Sequence, residues 1–244
     1  MIAAVKSAVK KVLGIRTSPR DAFLNDAYIR HDKRRQEHLA SLGLDLAGST
    51  VLEVGAGIGS HTGFFLDRGC KVNSTEPRRE NLEALRLRYP DIEVKQLDLD
   101  NPDNSLEGHF DIVYCYGVLY HLKDPARALE FMSSRCDGML LLETCVSFGD
   151  EEAINSCEEP ADILSQSIYG QGCRPTRPWI YNKLKSEFEF VYMPITQPNH
   201  EQFPLDWSTP QPAEELTRSV FIASRKPLRN ESLVAGIPML QRRH

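Results

Sequence analysis

The sequence predicts an α/β fold: a doubly wound, mostly parallel sheet of about seven strands with helices on both faces. From Ser49 onward, short apolar runs alternate with helical stretches, the pattern of a parallel sheet under covering helices. The first of these runs passes directly into glycines at alternate positions and then into a helix, in Val51-Leu52-Glu53-Val54-Gly55-Ala56-Gly57-Ile58-Gly59-Ser60. With 41% hydrophobic and 26% charged residues over 244 positions, the chain has the apolar content to bury one large core.

Residues Ile2 to Leu13 place Ile2, Val5, Val9 and Val12 at helical spacing between Lys6, Lys10 and Lys11, which predicts a basic amphipathic helix. Packing on the domain or a partner subunit, and contact with a membrane surface, both remain open for it. A second helix is expected from about Asp21 to Leu42. Its cluster Arg30, His31, Lys33, Arg34 and Arg35 reads as a solvated face, with a lid over an anionic ligand as the rival. Residues 1–45 are therefore expected to form an N-terminal helical extension.

Strands are expected near Thr50 to Val54, Lys71 to Thr75, Ile92 to Leu97, Phe110 to Cys115 and Met139 to Cys145. Helices are expected between them at Ser60 to Arg68, Arg78 to Tyr89 and Pro125 to Ser134, the last with Asp124 as N-cap and Pro125 at its first position. The polar stretch at 147–178 is too long for an ordinary connection and reads as a functional insert. A helix from Pro178 to Phe188 and strands at Phe188 to Ile195 and Ser219 to Ser224 complete a domain over 46–226. A second, proline-rich insert is expected at 197–215 and a C-terminal tail at 227–244.

The formal net charge of -5 argues against a general nucleic-acid coat and puts a small-molecule partner first. Six cysteines without a CxxC pair suit a reducing, cytoplasmic setting. No run of about 18 uncharged apolar residues occurs, so no membrane span is expected. The histidines form no ligand pattern with the cysteines or acids, and no metal is expected.

Glycines after a buried strand let the backbone turn tightly and approach a ligand, with a helix N-terminus behind it. Glu76 closes the next strand, where a carboxylate can accept both ribose hydroxyls of an adenosine-bearing ligand. Two cofactor classes share that pairing. The nicotinamide pattern G-x-G-x-x-G/A wants Gly or Ala where this chain has Ser60, and Glu53 would face a pyrophosphate. An acid at Glu53 suits a cationic ammonium or sulfonium instead.

On these residues, and on Asp98 in Gln96-Leu97-Asp98-Leu99 and Tyr116-Gly117-Val118-Leu119-Tyr120-His121, the sequence resembles the class I S-adenosylmethionine-dependent methyltransferases. The resemblance covers about Ser49 to Val146 and implies a Rossmann-like sheet with S-adenosylmethionine as cofactor. It implies that Gly55, Gly57 and Gly59 cradle the methionine part, Glu76 holds the ribose, and Asp98 and Leu99 contact the adenine. Tyr116 and Gly117 would lie under the sulfonium. The Gly117 to His121 segment is similar to a subgroup that includes sugar and small-molecule methyltransferases and the carboxymethyltransferase of the transfer-RNA wobble uridine.

Transfer to a hydroxyl needs alignment and removal of a proton. His121, after the fourth strand, is the first candidate for the base, with Tyr120 shaping the pocket and His61 contacting cofactor or substrate. Arg174, Arg177, Trp179, Tyr181 and His200 are candidates for holding an acceptor. The expected function is O-methylation of a sugar, glycoconjugate or other small molecule. Carboxymethyl transfer to transfer RNA is the runner-up; it would want extra cationic residues beside the methyl position. A nicotinamide-dependent oxidoreductase and a non-catalytic, cofactor-binding partner subunit are the alternatives of another class. A homodimer stays open.

Overall fold

In the computed structural model, residues 18–102, 106–210 and 215–244 are described; the expected basic helix at Ile2 to Leu13 lies outside them. Thr50–Glu53 (β1) is the central strand, buried along most of its length. It pairs in parallel with Lys71–Thr75 (β2) on one side and Phe110–Tyr116 (β4) on the other. Glu93–Lys95 (β3) extends the sheet beyond β2, and Cys136–Val146 (β5) extends it beyond β4, both in parallel. Thr217–Ser224 (β10) then runs antiparallel between β5 and Phe190–Pro194 (β8).

The sheet has eight strands, one more than the sequence reading gives. Leu233–Val234 (β11), from the C-terminal tail, pairs antiparallel with Pro194 and Met193 at the edge. Two residues carry no periodicity, so the sequence offers no strand signal there. The full order is β11-β8-β10-β5-β4-β1-β2-β3.

The two-residue period of the strands divides the core between two faces. Leu52, Val113, Leu140 and Phe221 point to one face, where they meet Leu129 of the helix Pro125–Ser134 and Leu184 of the helix Arg177–Glu187. Their neighbours Val51, Ile112, Leu141 and Val220 point to the other, against Leu39 of the helix Asp26–Ser41 and Phe65 of Thr62–Leu66. In chain order the helices are α1 (Pro19–Phe23), α2 (Asp26–Ser41), α3 (Thr62–Leu66), α4 (Arg79–Arg88), α5 (Pro125–Ser134) and α6 (Arg177–Glu187). Asn25 caps α2 by accepting from Tyr28 N–H, which breaks the single helix expected over 21–42 into two. Asp124 caps α5 as its sequence predicts, accepting from Arg127 N–H.

Within 147–178, Ser156–Glu158 (β6) and Gln171–Cys173 (β7) form an antiparallel hairpin. The residues between them return across the top of the sheet. Arg242–Arg243 (β12) pairs with Thr196–Gln197 (β9), tying the chain end to the edge.

Candidate active site

The carboxyl ends of β1, β2 and β4 open into a cleft of about 950 Å³, the place where open parallel sheets bind ligands. After β1 the chain turns at Gly55 with φ of 63°, and a Cβ there would stand 2.5 Å from Val118 Cγ2. Backbone therefore forms the floor where any side chain would fill it. Gly57 lines the same floor and donates its N–H to Glu76 Oε2 at 2.9 Å. Gly59, expected in this cradle, is not part of the lining. A Cβ at Gly59 would meet Tyr89 Cε2 at 2.5 Å and Leu85 Cδ1 at 2.7 Å, so its missing side chain lets the turn pack on α4.

Glu76 is a buried carboxylate held in place from three sides. Besides Gly57, it accepts from Arg78 N–H at 3.2 Å and Asn81 Nδ2 at 3.0 Å, both on Oε1. Burial raises its pKa, and these donors pull the other way. Arg78 and Asn81 also hold the roof: Arg78 Nη2 donates to the carbonyls of Ala161, Gln166 and Ser167, and Asn81 Nδ2 to that of Leu164. Residues 164–168 line the cleft from above.

Glu53 lines the floor, with Thr62 and Ser74 hydroxyls donating to its Oε2 at 2.6 and 2.7 Å. Burial nevertheless pushes its pKa up to about 7. Leu99 and Asp98 line the far end. Asp98 Oδ2 already accepts from Tyr169 Oη at 2.5 Å and Asn101 Nδ2 at 3.1 Å, and Oδ1 from Asp100 N–H at 3.0 Å. Tyr116 and Gly117 line the near end, and the buried Tyr116 hydroxyl has no partner within the protein. A buried hydroxyl in that condition is a group that a bound ligand would satisfy.

His121 faces the cleft with its Nδ1 2.5 Å from Glu159 Oε2. Glu159 in turn accepts from Arg174 Nη2 on Oε1 at 3.0 Å and from Ser167 N–H on Oε2 at 3.0 Å. Burial lowers the His121 pKa; Glu159 opposes the shift without reversing it. His61 stands deeper, against the Tyr114 hydroxyl, with its Nε2 3.2 Å from Asp32 Oδ1. Burial, then Arg35, lower its pKa.

Tyr120 does not line the cleft. It faces a second cavity of about 850 Å³ that meets the first at Tyr28, Arg35, Gly117, Ser165 and Gln166. Its hydroxyl accepts from Arg218 Nη2 at 2.9 Å. Arg174 and His200 line this cavity too, with Arg30 and His31. Beneath the wall, the fully buried Glu143 accepts from Arg35 Nη1 at 2.8 Å and Arg218 Nη1 at 2.9 Å. Burial alone would raise the Glu143 pKa, but Arg218 and Arg35 hold it below the usual carboxylate value.

Arg177, Trp179 and Tyr181 lie outside both cavities. Arg177 donates to the Pro238 carbonyl and stacks over Trp207 at 3.8 Å, Trp179 packs on the core, and Tyr181 Oη donates to the Val191 carbonyl. Their signal was their place at the end of the long insert and their residue types, but the helix that carries them turns them to the core and the chain end. The solvated-face reading of the α2 cluster is corrected at two positions: His31 and Arg35 are buried, whereas Arg30 and Lys33 remain exposed. Residues that the sequence reading missed come from that helix and from β10: Tyr28, Asp32 and Arg218; Arg35 it named only within the cluster read as a solvated face, with a lid over an anionic ligand as the rival. Tyr28, Asp32, Arg35 and Leu39 do recur at helical spacing, but only the last is apolar, and a polar inward stripe looks like an outward one. Among the described residues, no group of three or more His, Cys, Asp or Glu side chains could hold a metal ion, and no helix is long and apolar enough to cross a membrane.

Comparison with known proteins agrees with this geometry. Residues 28–181 match the family profile of a methyltransferase domain. A tRNA U34 carboxymethyltransferase from Actinobacillus succinogenes is 35% identical over 144 residues, covering 56% of this chain and 44% of that protein. A ubiquinone biosynthesis O-methyltransferase from Pseudomonas paraeruginosa is 31% identical over 89 residues, covering 35% of this chain and 38% of that protein. The chain spans less than half the length of these curated relatives. Among solved structures, the N-terminal domain of EvdMO1, crystallised in the presence of S-adenosylhomocysteine and D-fucose, superposes with a TM-score of 0.61 at 20% identity, covering 83% of this chain and 85% of that one. Magnesium protoporphyrin IX methyltransferase from Synechocystis with bound S-adenosylmethionine gives 0.55 at 16% identity, covering 82% of each chain.

Proposed function

This chain belongs to the methyltransferase domain family, and from that premise we propose that it methylates a hydroxyl of a small, sugar-containing acceptor, with His121 as the general base. The nicotinamide and non-catalytic alternatives fall with the family assignment. The cofactor is S-adenosylmethionine, which when bound supplies a methyl group on a sulfonium, open to in-line displacement. The residues present fit it: a glycine floor that a Cβ would fill, a buried acid at the end of β2, and an unpartnered Tyr116 hydroxyl beside Gly117.

The observation that carries the reading is the His121–Glu159 pair at the mouth of the cleft. Glu159 orients the imidazole through Nδ1, which leaves Nε2 as the proton acceptor. Its lowered pKa keeps the ring neutral, and so able to accept a proton, at pH 7. Arg174 and Ser167 fix Glu159, so the hairpin insert holds the base in place. In this reading the inserts 147–178 and 197–215 select the acceptor, and Arg174 and His200 are its contacts. The EvdMO1 structure with D-fucose supports a sugar class by analogy of fold alone.

One observation favours the second reading, transfer of a carboxymethyl group to transfer RNA. Arg35 and Arg218 are extra cationic residues beside the methyl position: a Cβ on Gly117 would lie 2.9 Å from Arg35 Nη1, and Arg218 bonds Tyr120. The relatives named tRNA U34 carboxymethyltransferase point the same way. Against it, the chain's formal net charge of -5 is unfavourable to a polyanionic acceptor.

The test is turnover with an acceptor panel of sugars, glycoconjugates and wobble-uridine transfer RNA, supplied with S-adenosylmethionine or its carboxylated analogue and read by product mass. We expect methyl addition to a sugar hydroxyl. His121→Asn should cut that rate by about 10²–10⁴-fold while leaving S-adenosylhomocysteine affinity nearly unchanged. Carboxymethyl addition to RNA, or an unaffected His121→Asn, would overturn the reading.

A further inference from the structure

The wall of the second cavity separates charge in an unusual way. Four arginines line it, Arg30, Arg35, Arg174 and Arg218, and each has a carboxylate partner: Glu201, Asp32 with Glu143, Glu159, and Glu143. The two buried guanidiniums, Arg35 and Arg218, are thereby not left as uncompensated charges. Of those four acids, however, only Glu201 lines the cavity among the described residues. The other three stand behind or beside the wall, so the charged groups a ligand meets there are mainly guanidinium N–H donors, set among Ala27, Tyr28, Tyr120 and Leu216.

Two buried nitrogens strengthen the point. Arg35 Nε and His31 Nε2 are each without a hydrogen-bond partner, although both residues line this cavity. On the cationic Arg35 an unpaired Nε–H is costly, and an anionic acceptor is the group that relieves it best. His31 and His200, packed edge to face at 4.8 Å, are both held neutral by burial, with Arg35 and Arg218 adding to the effect at His31. They supply polarity to the wall without repelling a cationic neighbour.

We propose that this cavity is an anion subsite of the acceptor: the molecule that offers its hydroxyl at the cleft also carries a carboxylate or phosphate, seated against Arg35, Arg174 and Arg218. The proposal rests on the methyltransferase reading above and narrows its acceptor to an acidic, hydroxyl-bearing small molecule. A carboxylate carried on the cofactor would be a second source of the same chemistry, and the experiment separates the two.

Protein saturated with S-adenosylhomocysteine is titrated with D-glucuronate, glucose 1-phosphate and, as the neutral control, D-glucose, using calorimetry or saturation-transfer NMR. Both anions should bind at least tenfold more tightly than glucose, and the preference should shrink with added salt. Glu201→Gln removes the one carboxylate facing the cavity. Because Glu201 is exposed, at 65% of its side chain, the variant should fold normally. It should tighten glucuronate binding severalfold and leave S-adenosylhomocysteine affinity unchanged.

Equal binding of anions and glucose, or no binding of either anion to protein that holds S-adenosylhomocysteine, would overturn the proposal. So would a cofactor analogue carboxylated on its methyl group that binds tenfold tighter than S-adenosylmethionine while glucuronate fails to bind. Loss of S-adenosylhomocysteine binding itself would instead count against the cofactor reading on which the proposal rests.

Discussion

The two cavities that meet at Gly117 are built by opposite strategies. The floor of the cleft at the ends of β1, β2 and β4 is made from short, contiguous pieces of chain, the turn 54–60, the end of β2 and the segment after β4, with α2 and residues 164–168 closing over it. The second cavity is assembled from residues far apart in the chain, with Arg35 on α2, Tyr120 after β4, Arg174 in the insert and Arg218 on β10. The first depends on backbone shape and on two buried acids, Glu53 and Glu76, each held by local donors. The second depends on charge, and its two most buried arginines, Arg35 and Arg218, share Glu143 beneath the wall.

The difference predicts separable failures. The largest is expected at Glu143→Ala, which leaves two buried guanidiniums without their shared partner at a cost of about 3–5 kcal/mol. Thermal unfolding should show a fall in Tm of roughly 6–20 °C, since about 1 kcal/mol moves a chain of this size by 2–4 °C. A Tm within a degree or two of the native protein would mean that the arginine wall does not depend on this acid.

Glu53 tests the cleft with the opposite sign. Its folded pKa, about 7, lies above the ordinary carboxylate value, so the folded chain holds a proton that the unfolded chain releases. That contribution to stability is present in full at low pH and is lost as pH rises through 7. Glu53→Gln should therefore stabilise the protein at pH 8, by about 2 kcal/mol, in denaturant titrations. On our reading that the ionised Glu53 faces the cofactor's cationic end, wild-type affinity for S-adenosylmethionine should fall as pH drops below 7, by up to about tenfold per unit. In Glu53→Gln that slope should vanish and affinity at pH 8 should be weaker. A pH-independent wild-type affinity would remove Glu53 from the cofactor site.

The same contrast explains what could be read from the sequence. The strands around β1, the α5 cap at Asp124 and the turn 54–60 depend on neighbouring residues, and their signals are periodicity, a capping aspartate and glycine placement. Glu76 was legible for that reason: the end of a strand after a glycine turn puts it in one place. Gly59 was legible as a required glycine, but its neighbours Tyr89 and Leu85 lie about a helix and a strand away, so the physical cause was hidden. Arg218 is the second residue of β10, just ahead of the apolar run, with nothing local to show that it faces Tyr120 and Glu143. Arg35 was hidden by its own helix, where exposed Arg30 and Lys33 made the whole cluster look solvated. Charge that is neutralised by a residue a hundred positions away leaves no local pattern.

The central claim is that the glycine turn and Glu76 form an S-adenosylmethionine site, and calorimetry tests it most directly. S-Adenosylhomocysteine is titrated into the native protein and into Glu76→Ala, with circular dichroism confirming that both are folded. Micromolar binding to the native protein, weakened at least a hundredfold in the variant, is the expected result. Equal affinity in the two proteins, or no binding to a folded native chain, would contradict it.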